Sequence, residues 1–584
     1  MKLAFDIEAD GLQLDATKIH CIVFRDVVTH KEWLLSSPSD YNEFYYDTFD
    51  EVEEFIGHNI IDYDIPVLER ILNWNFSDKK TFDTLVATKL VYGDIKDADI
   101  WRAKAKTMPP QLIGSYSLKA FGFRLGEHKQ DFTTDWSEFT PEMLEYCRQD
   151  VKVTAMLYNK VVEKSIPYEA FDLEQDIRNI VSRQTRQGWS FNYTEAEKLY
   201  KDLTIKRLDI ESEVSNYFPP FEDEEEFIPK VNNKTRGYVK GVPFIKKKVT
   251  PFNCGSRQHI ARGLQEQYGW QPEEYTETGI PKINESVLAN LNYEGAKKLG
   301  DYFVIQKILG MVGEGKNAWL KMSKSSRIHG AVDTIGAVTG RMTHSRPNLS
   351  QVPACYSPYG TECRTLFKAS NNNKLVGCDA SGLELRCLAH YMGRYDEGAY
   401  ADVVVNGDVH STNMDALGIN DRNIAKTWIY AFLYGAGAEK LGTILGCSSR
   451  TANRMKSSFL NRLPALKELQ EQVAQASSRG FLYGLDKRKI PVRSPHSALN
   501  TLLQSAGAIV MKKALSILAP KVYFYGGEFV GNIHDEWQID APNVFANDIG
   551  SCAVEAIQEA GKHFNFLCPL DGEYKVGSNW AETH

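Results

Sequence analysis

The stretch RNIAKTWIYAFLYGAG, Arg422 to Gly437, sets Arg422, Lys426, Tyr430 and Tyr434 at four-residue intervals. Read as a helix, each four-residue step turns about 400° and climbs about 6 Å. The four side chains then form one slowly winding stripe, with Asn423 and Thr427 beside it. Ile424, Ala425, Trp428, Ala431 and Phe432 fall on the other side, and Gly435-Ala436-Gly437 supplies a helix stop. Two readings follow. One is a surface helix whose basic side chains snorkel over an apolar face. The other is a ruler, with two cations one turn apart for adjacent phosphates and then an aromatic for a sugar or base. That is the shape of a nucleoside triphosphate.

The chain has 584 residues, enough for roughly three or four domains or subdomains. Its 25% charged and 43% hydrophobic residues are ordinary for a soluble globular protein. A net charge of -8 advertises no global affinity for nucleic acid, although a local groove matters more than the sum. The ten cysteines are scattered without a C-x-x-C pair, which points away from zinc and a disulfide framework and toward reduced thiols in a cytosol. The start MKLAFDIEADGL lacks a signal-peptide layout. No uninterrupted apolar run reaches the roughly 18 residues of a membrane helix, so no membrane partner is expected.

Residues 1 to about 160 read as α/β. LAFDIEADGL and KIHCIVFRDVV form strands joined by a turn, while FDEVEEFIGHN, FDTLVATKLVYG and PEMLEYCRQDVKVTAMLYNKVVEK read as helices. A long helical region follows from about 170. It breaks between about 218 and 255, where FEDEEEF is acidic and Lys230 to Lys248 carries seven cations and no acid, reading as a loop or small hairpin. Helical patterns resume to about 322. The remainder alternates strand-like pieces, KLVGCDASGLEL and EFVGNIHDEWQID among them, with long helices.

FDIEAD puts Asp6 and Glu8 on one face of a strand. HNIIDYDIPVL places Asp64 at an apolar helix start, and YCRQD places Tyr146 and Asp150 one helical turn apart. Four carboxylates drawn together repel unless cations sit among them, and hard divalent ions with oxygen ligands answer that need. Two such ions can activate a water and stabilise the leaving oxygen of a phosphodiester, with Tyr146 orienting the water. In this order the three elements resemble the tyrosine-containing DEDD exonucleases. The resemblance implies a 3′→5′ exonuclease whose metal ligands are Asp6, Glu8, Asp64 and Asp150.

In VGCDASGLELRCLAH, Asp379 ends an apolar strand-like run and Glu384 lies five residues on. In VGNIHDEWQID, Asp535 sits at a hairpin turn between two strands. Beside the ruler, Asp379 and Asp535 can hold two Mg²⁺ ions, Arg422 and Lys426 a triphosphate, and Tyr430 the sugar and base. DASGLELR, RNIAKTWIYAFLYG and HDE resemble motifs A, B and C of family A DNA polymerases, most closely those of short-tailed, T-seven-like bacteriophages. TGRMTHSRPNLSQVP, RSPHSALNTLLQSAGA and NWAETH extend the likeness over nearly the whole chain.

This resemblance implies an α/β and α+β multidomain fold, with an RNase H-like exonuclease domain followed by a right-hand polymerase. Residues 1–165 would be the exonuclease, 166–330 the thumb, 331–400 and 481–584 the palm, and 401–480 the fingers. Asp379, Asp535 and the Ala380 carbonyl would bind metal, with Mn²⁺ able to replace Mg²⁺. Arg422, Lys426 and His410 would contact the triphosphate, and Tyr430 and Glu384 would exclude a ribose 2′-hydroxyl. Tyr434 would stack near the templating base. Arg341, His496, Asn500 and Gln504 would track primer and template, the last three as a helical stripe, and His534 and Glu536 would flank the primer terminus. Many relatives carry Phe where Tyr430 stands, and Tyr there is associated with acceptance of sugars lacking a 3′-hydroxyl.

The implied activity is proofreading DNA replication on primer-template DNA with dNTPs, in the cytoplasm of an infected bacterial host. A phage helicase-primase and a single-stranded-DNA-binding protein are the implied partners. The chain starts directly at the first exonuclease motif, which favours replication over nick repair. In such relatives a large thumb insertion docks host thioredoxin as a processivity clamp. The corresponding segment here, 218 to 255, is shorter, so thioredoxin or another processivity factor stays an open alternative to direct contact with duplex phosphates. Two rival activities remain. A single-subunit RNA polymerase shares the Arg/Lys/Tyr helix but not Glu384 or the exonuclease. A nuclease-only or non-catalytic DNA-binding descendant would not retain both sets of carboxylates.

Overall fold

A computed structural model describes residues 1–127 and 135–584, in two compact units. One comprises Met1–Trp189, His329–Gln351 and Lys368–His584; the other comprises Ser190–Ile328 and Val352–Phe367.

The first unit opens with a five-stranded sheet of β1 (Lys2–Ala9), β2 (Ile19–Asp26), β3 (Glu32–Leu35), β4 (Glu54–Gly57) and β5 (Lys80–Asp83), ordered β3-β2-β1-β4-β5. Strand β1 is central, antiparallel to β2 and parallel to β4. Its alternation divides two cores. Leu3, Phe5 and Ile7 pack with Phe24 and Phe55 on one side, and Ala4 joins Val23, Cys147 and Val151 on the other. The helices that matter below are α1 (Asp64–Leu72), α2 (Thr84–Tyr92), α3 (Lys96–Lys104), α4 (Pro141–Val162) and α5 (Tyr168–Gln187).

One sequence expectation fails here. FDEVEEFIGHN is not a helix: Phe49–Glu51 is a single 3₁₀ turn, and Glu54–Gly57 is β4. Phe49, Val52, Phe55 and Ile56 mimic a helical spacing. Yet Phe55 and Ile56 are both fully buried because β4 is covered on both faces, which erases the alternation that marks a strand.

In the second unit the helices Tyr193–Val214 and Glu294–Leu309 pack around Phe218, Ile260, Leu264 and Leu299. The acidic and basic runs are the two arms of one antiparallel hairpin, β6 (Phe221–Phe227) and β7 (Phe244–Thr250). Asp223, Glu224 and Glu225 stand opposite Lys248, Lys247 and Lys246. Cross-strand pairing of opposite charges is favourable; these three of the seven cations face acids in register, Lys247 meeting Glu224 at 3.5 Å while Asp223 turns to Arg262 at 2.8 Å. The other four, Lys230, Lys234, Arg236 and Lys240, lie in its exposed connection.

The rest of the first unit surrounds a four-stranded antiparallel sheet. In chain order come β8 (Asn373–Ala380), α6 (Val409–Leu417), α7 (Arg422–Leu433), β9 (Phe481–Tyr483), β10 (Lys489–Pro491) and α8 (Ala498–Phe524). Then follow β11 (Glu528–Ile533), β12 (Glu536–Pro542), α9 (Ala546–His563) and β13 (Gly572–Gly577), with sheet order β11-β12-β8-β13. Helix α8 is long and apolar enough to cross a membrane, but most of it is buried among core residues such as Val376, Leu383 and Ile549.

Candidate active sites

Strand β8 delivers Asp379 at its end, and β12 runs antiparallel beside it with Asp379 opposite Glu536. The hairpin from β11 to β12 turns in two residues, His534 and Asp535. His534 adopts φ +60°, a conformation usually left to glycine at such turns. The turn brings the Asp535 carbonyl to within 3.1 Å of the Ala380 amide, which donates to it. Asp379 and Asp535 therefore occupy neighbouring strand ends.

Both aspartates resist ionisation. Asp379 is pushed up to about 7 by surrounding protein and then by the charges of Asp535 and Glu536. The residue nevertheless stays exposed. Asp535 is pushed up to about 6 by burial and then by Glu384. Crowded carboxylates with open oxygen donors fit a hard divalent cation such as Mg²⁺.

Glu536 points inward and is 4% exposed. Burial pushes it up, but His584 at 2.8 Å, with Gln538 and Trp580 donating at 2.6 and 2.7 Å, holds it below the usual range. The pair expected to flank a primer end thus divides, with His534 exposed and Glu536 engaged in the interior.

The ruler forms as α7. Asp421 caps it by accepting the Asn423 and Ile424 amides, and Gly435, at φ +76°, follows its end. Ala425, Trp428, Ile429, Phe432 and Leu433 are buried, whereas Arg422 and Lys426 are exposed and Tyr430 is half-buried. Ile424 departs from the expected apolar side and is 36% exposed at the edge of the stripe.

Arg422 donates from Nε and Nη2 to the two carboxylate oxygens of Asp408 at 2.8 and 3.0 Å, a fork matching the geometry of a phosphate contact. Asp408 also caps α6 through the His410 and Ser411 amides. The His410 ring lies 6.3 Å from that of Tyr430, and its buried Nδ1 has no hydrogen-bond partner. Burial and then the charges of Arg422 and Lys426 hold His410 below its usual range.

Tyr430 is pushed up to about 12 by burial and then by Glu384 and Asp535, which ties the stripe to the acidic strand ends. Tyr434 donates to Glu384 Oε1 at 2.8 Å, and Arg341 Nη2 lies 3.7 Å from the same oxygen. Arg341, Glu384, Tyr434, His534 and Asp535 line one cleft of roughly 270 Å³.

His496 sits in a 3₁₀ turn before α8 rather than on the helix, and is exposed. Asn500 and Gln504 lie on α8, with Gln504 donating to Asn500 at 2.8 Å. Sequence reading missed Lys512, which lines the same cleft. Its ammonium donates to the Thr334 and Gly340 carbonyls at 2.7 and 2.8 Å and to Glu174 at 2.5 Å, pinning the loop that precedes Arg341. Only the fold brings these groups together.

At the amino-terminal site, Asp6 and Glu8 lie on the face of β1 turned toward α4. Asp64, the first residue of α1, accepts the Ile7 amide at 3.1 Å, between them. It is 3% exposed and pushed up to about 7 by burial, with Asp83 and Asp150 adding to the effect. Asp150 is buried on α4, one turn beyond Tyr146, whose ring meets that of Trp136 at 6.1 Å.

Cys147 was not anticipated here. Its thiol donates to the Asp6 carbonyl at 3.3 Å, and its sulfur and the Asp6 and Glu8 oxygens lie within 4.8 Å of one another. Burial keeps this thiol well above its usual range, so it stays neutral. The paired oxygens of Asp6 and Glu8, with Asp64 and Asp150 near enough to feel each other's charge, suit a hard cation. His58 and Asn59 of the middle motif serve structure: His58 bonds Thr84 and the Tyr116 carbonyl at 2.9 Å each, and the Asn59 amide donates to Asp83 at 2.9 Å.

Residues 243–582 match the family model for DNA polymerase family A. The chain is 34% identical over 705 aligned positions to the DNA-directed DNA polymerase of Escherichia phage T7, covering 99% of both chains. It is 34% identical to the DNA-directed DNA polymerase of Enterobacteria phage T3, covering 100% of both. Among solved structures, the POL domain of Pol1 from M. smegmatis, in complex with DNA primer-template and dNTP, aligns with a TM-score of 0.76 at 15% identity. That alignment covers 99% of this chain and 96% of that one.

Proposed function

This chain belongs to DNA polymerase family A, and on that premise we propose that it copies a DNA template from dNTPs and excises mispaired 3′ ends at a second site. The observation that carries the reading is the convergence of Asp379, Asp535, Glu384 and the Arg422–Tyr434 stripe. These groups supply oxygen donors for metal, a phosphate fork and a sugar platform within one connected set.

Arg422 and Lys426 receive the triphosphate, with His410 donating to it from a neutral ring. Tyr430 covers the sugar. Tyr434 holds Glu384 by a hydrogen bond, so the wall beside the sugar is filled and a ribose 2′-hydroxyl would be buried without a partner. Asp379 and Asp535, with the Ala380 carbonyl, would hold Mg²⁺. Bound there, two ions would lower the pKa of a primer 3′-hydroxyl and neutralise the departing pyrophosphate. His534 flanks the primer end, while Arg341, His496, Asn500 and Gln504 follow the duplex.

Excision uses Asp6, Glu8, Asp64 and Asp150 around divalent metal, with Tyr146 orienting the attacking water. Pairing alone discriminates a wrong nucleotide by a few kcal/mol, and a hydrolytic site multiplies that selectivity. We assign 1–165 to excision, 166–330 to the thumb, 331–400 and 481–584 to the palm, and 401–480 to the fingers. The setting is the replication machinery of an infected bacterium, alongside helicase-primase and single-stranded-DNA-binding protein. The shortness of the 218–255 segment and its basic run Lys230 to Lys248 favour processivity without thioredoxin.

Primer extension with dNTPs or with rNTPs tests the reading. Template-directed addition of dNTPs alone is expected, and Glu384→Ala should admit rNTPs. Extension by rNTPs in the wild-type chain would overturn it in favour of an RNA polymerase.

A further inference from the structure

The short hairpin of β9 and β10 has two unlike faces. Leu482 and Ile490 point inward and are 4% and 1% exposed. Phe481 and Tyr483 alternate with Leu482 along β9, opposite Pro491 and Lys489. The outer face thus carries two rings, 5.4 Å apart and edge to face. Lys489 lies 5.0 Å from the Phe481 ring, and Arg479 lies 5.3 and 5.1 Å from the Phe481 and Tyr483 rings. Tyr483 remains 50% exposed.

Phe481, Lys489 and Arg493 form one wall of an open cleft of roughly 820 Å³, and Tyr92, Lys96 and Ile100 of α2 and α3 form the other. Asp94 and Asp97 also line it, and Arg493 takes up Asp94 at 3.4 Å. An adjoining cleft of roughly 330 Å³ shares Lys96 and Lys489. It reaches Gly340, next to Arg341 of the polymerase cleft, and it also reaches Lys89 and Tyr116. Those last two residues line a hollow with His58 and Asn59 of the excision motif.

Aromatic faces with interleaved cations are the chemistry that holds unpaired nucleotides, because every unstacked base offers a ring face and every linkage a phosphate. Bases within a duplex have both faces occupied by their neighbours. We propose that this cleft and the ring-bearing face of the hairpin beside it bind single-stranded DNA, with Phe481, Lys489, Arg493 and Lys96 holding a base and phosphates within the cleft and Tyr483 and Arg479 continuing the track on the hairpin's outer face. The strand has two sources, a melted primer end passing between the two acidic sites or the unpaired template. The proposal rests on the polymerase reading above.

The test uses the full chain with divalent ions chelated and a labelled twelve-nucleotide oligothymidine, followed by fluorescence anisotropy. Tyr483→Ser and Lys489→Glu should each weaken binding by about 5-fold or more, and Lys489→Glu should also flatten the salt dependence. Lys487→Glu, in the turn of the same hairpin where Lys487 faces Glu169 at 3.8 Å, lies off both the cleft and the ring-bearing face, serves as the control and should stay within about 2-fold. Circular dichroism melts check that each variant is folded. With Mg²⁺ restored, slower excision confined to mispaired ends identifies the primer as the strand. Weaker binding confined to substrates with long template overhangs identifies the template. Unchanged oligothymidine affinity in both folded variants would overturn the proposal. Absence of nucleotide addition by the wild-type chain would instead overturn the polymerase reading.

Discussion

Asp64→Asn separates the electrostatic cost of the proposed excision site from its chemistry. Asp64 titrates near 7 in the folded chain, against about 3.9 in an unfolded one. The folded state therefore binds more protons between these values, and stability falls as pH rises through that window. A rise of about three units corresponds to a penalty of at most roughly 4 kcal/mol, complete above pH 7 and absent below about pH 4. Asn keeps an oxygen for the Ile7 amide but loses the charge. With metal chelated, hydrogen exchange at the Ile7 amide should report a variant more stable than wild type by up to about 4 kcal/mol at pH 8. The gap should shrink to about 1–2 kcal/mol at pH 5. Adding Mg²⁺ at pH 8 should protect wild type and leave the variant unchanged, and the variant should not excise. A stability difference independent of pH, or a destabilised variant, would refute the account of Asp64 as a strained metal ligand.

Tyr430 remains a protonated hydroxyl at working pH, and a phenol can replace the hydrogen bond lost when a sugar lacks its 3′-hydroxyl. Dideoxynucleotides should terminate synthesis efficiently, and Tyr430→Phe should raise discrimination by about 5- to 150-fold, the range for a bond of about 1–3 kcal/mol. Equal termination of both proteins in a sequencing ladder would contradict that role. Asp408 holds the guanidinium of Arg422, and under the proposed function it competes with the triphosphate for that group. Asp408→Asn keeps the cap of α6 while weakening the fork, so the KM for dNTPs should fall roughly two- to five-fold at constant kcat. A rise in KM would show that Asp408 positions Arg422 instead.

The acidic sites were readable because each depends on short spacing. The two-residue period of β1 puts Asp6 and Glu8 together, the helical period of α4 aligns Tyr146 with Asp150, and the turn at Asp535 sits between two apolar runs. The stripe on α7 was readable for the same reason, except that Ile424 lies at its boundary and stays exposed. Buried β4 was not readable, because a strand covered on both faces loses its alternation. Cys147 at the Asp6 carbonyl, His584 on Glu536 and Lys512 beneath Arg341 are joined across scores or hundreds of residues, and no local period announces them. The pairing of FEDEEEF with the lysines of β7 did leave a trace, as complementary charge runs on either side of turn residues. The inward turn of Glu536 left none, since two of its three partners, Trp580 and His584, lie on a distant segment.

The central claim is that one chain carries two independent acidic sites with opposite tasks. The most direct measurement is a paired assay of Asp535→Asn and Asp6→Ala, scoring dNTP incorporation on a matched primer and removal of a mispaired 3′ nucleotide by the same preparation. Asp535→Asn should abolish incorporation and keep excision, and Asp6→Ala should do the reverse. Loss of both activities from either single substitution in a folded protein would contradict the account.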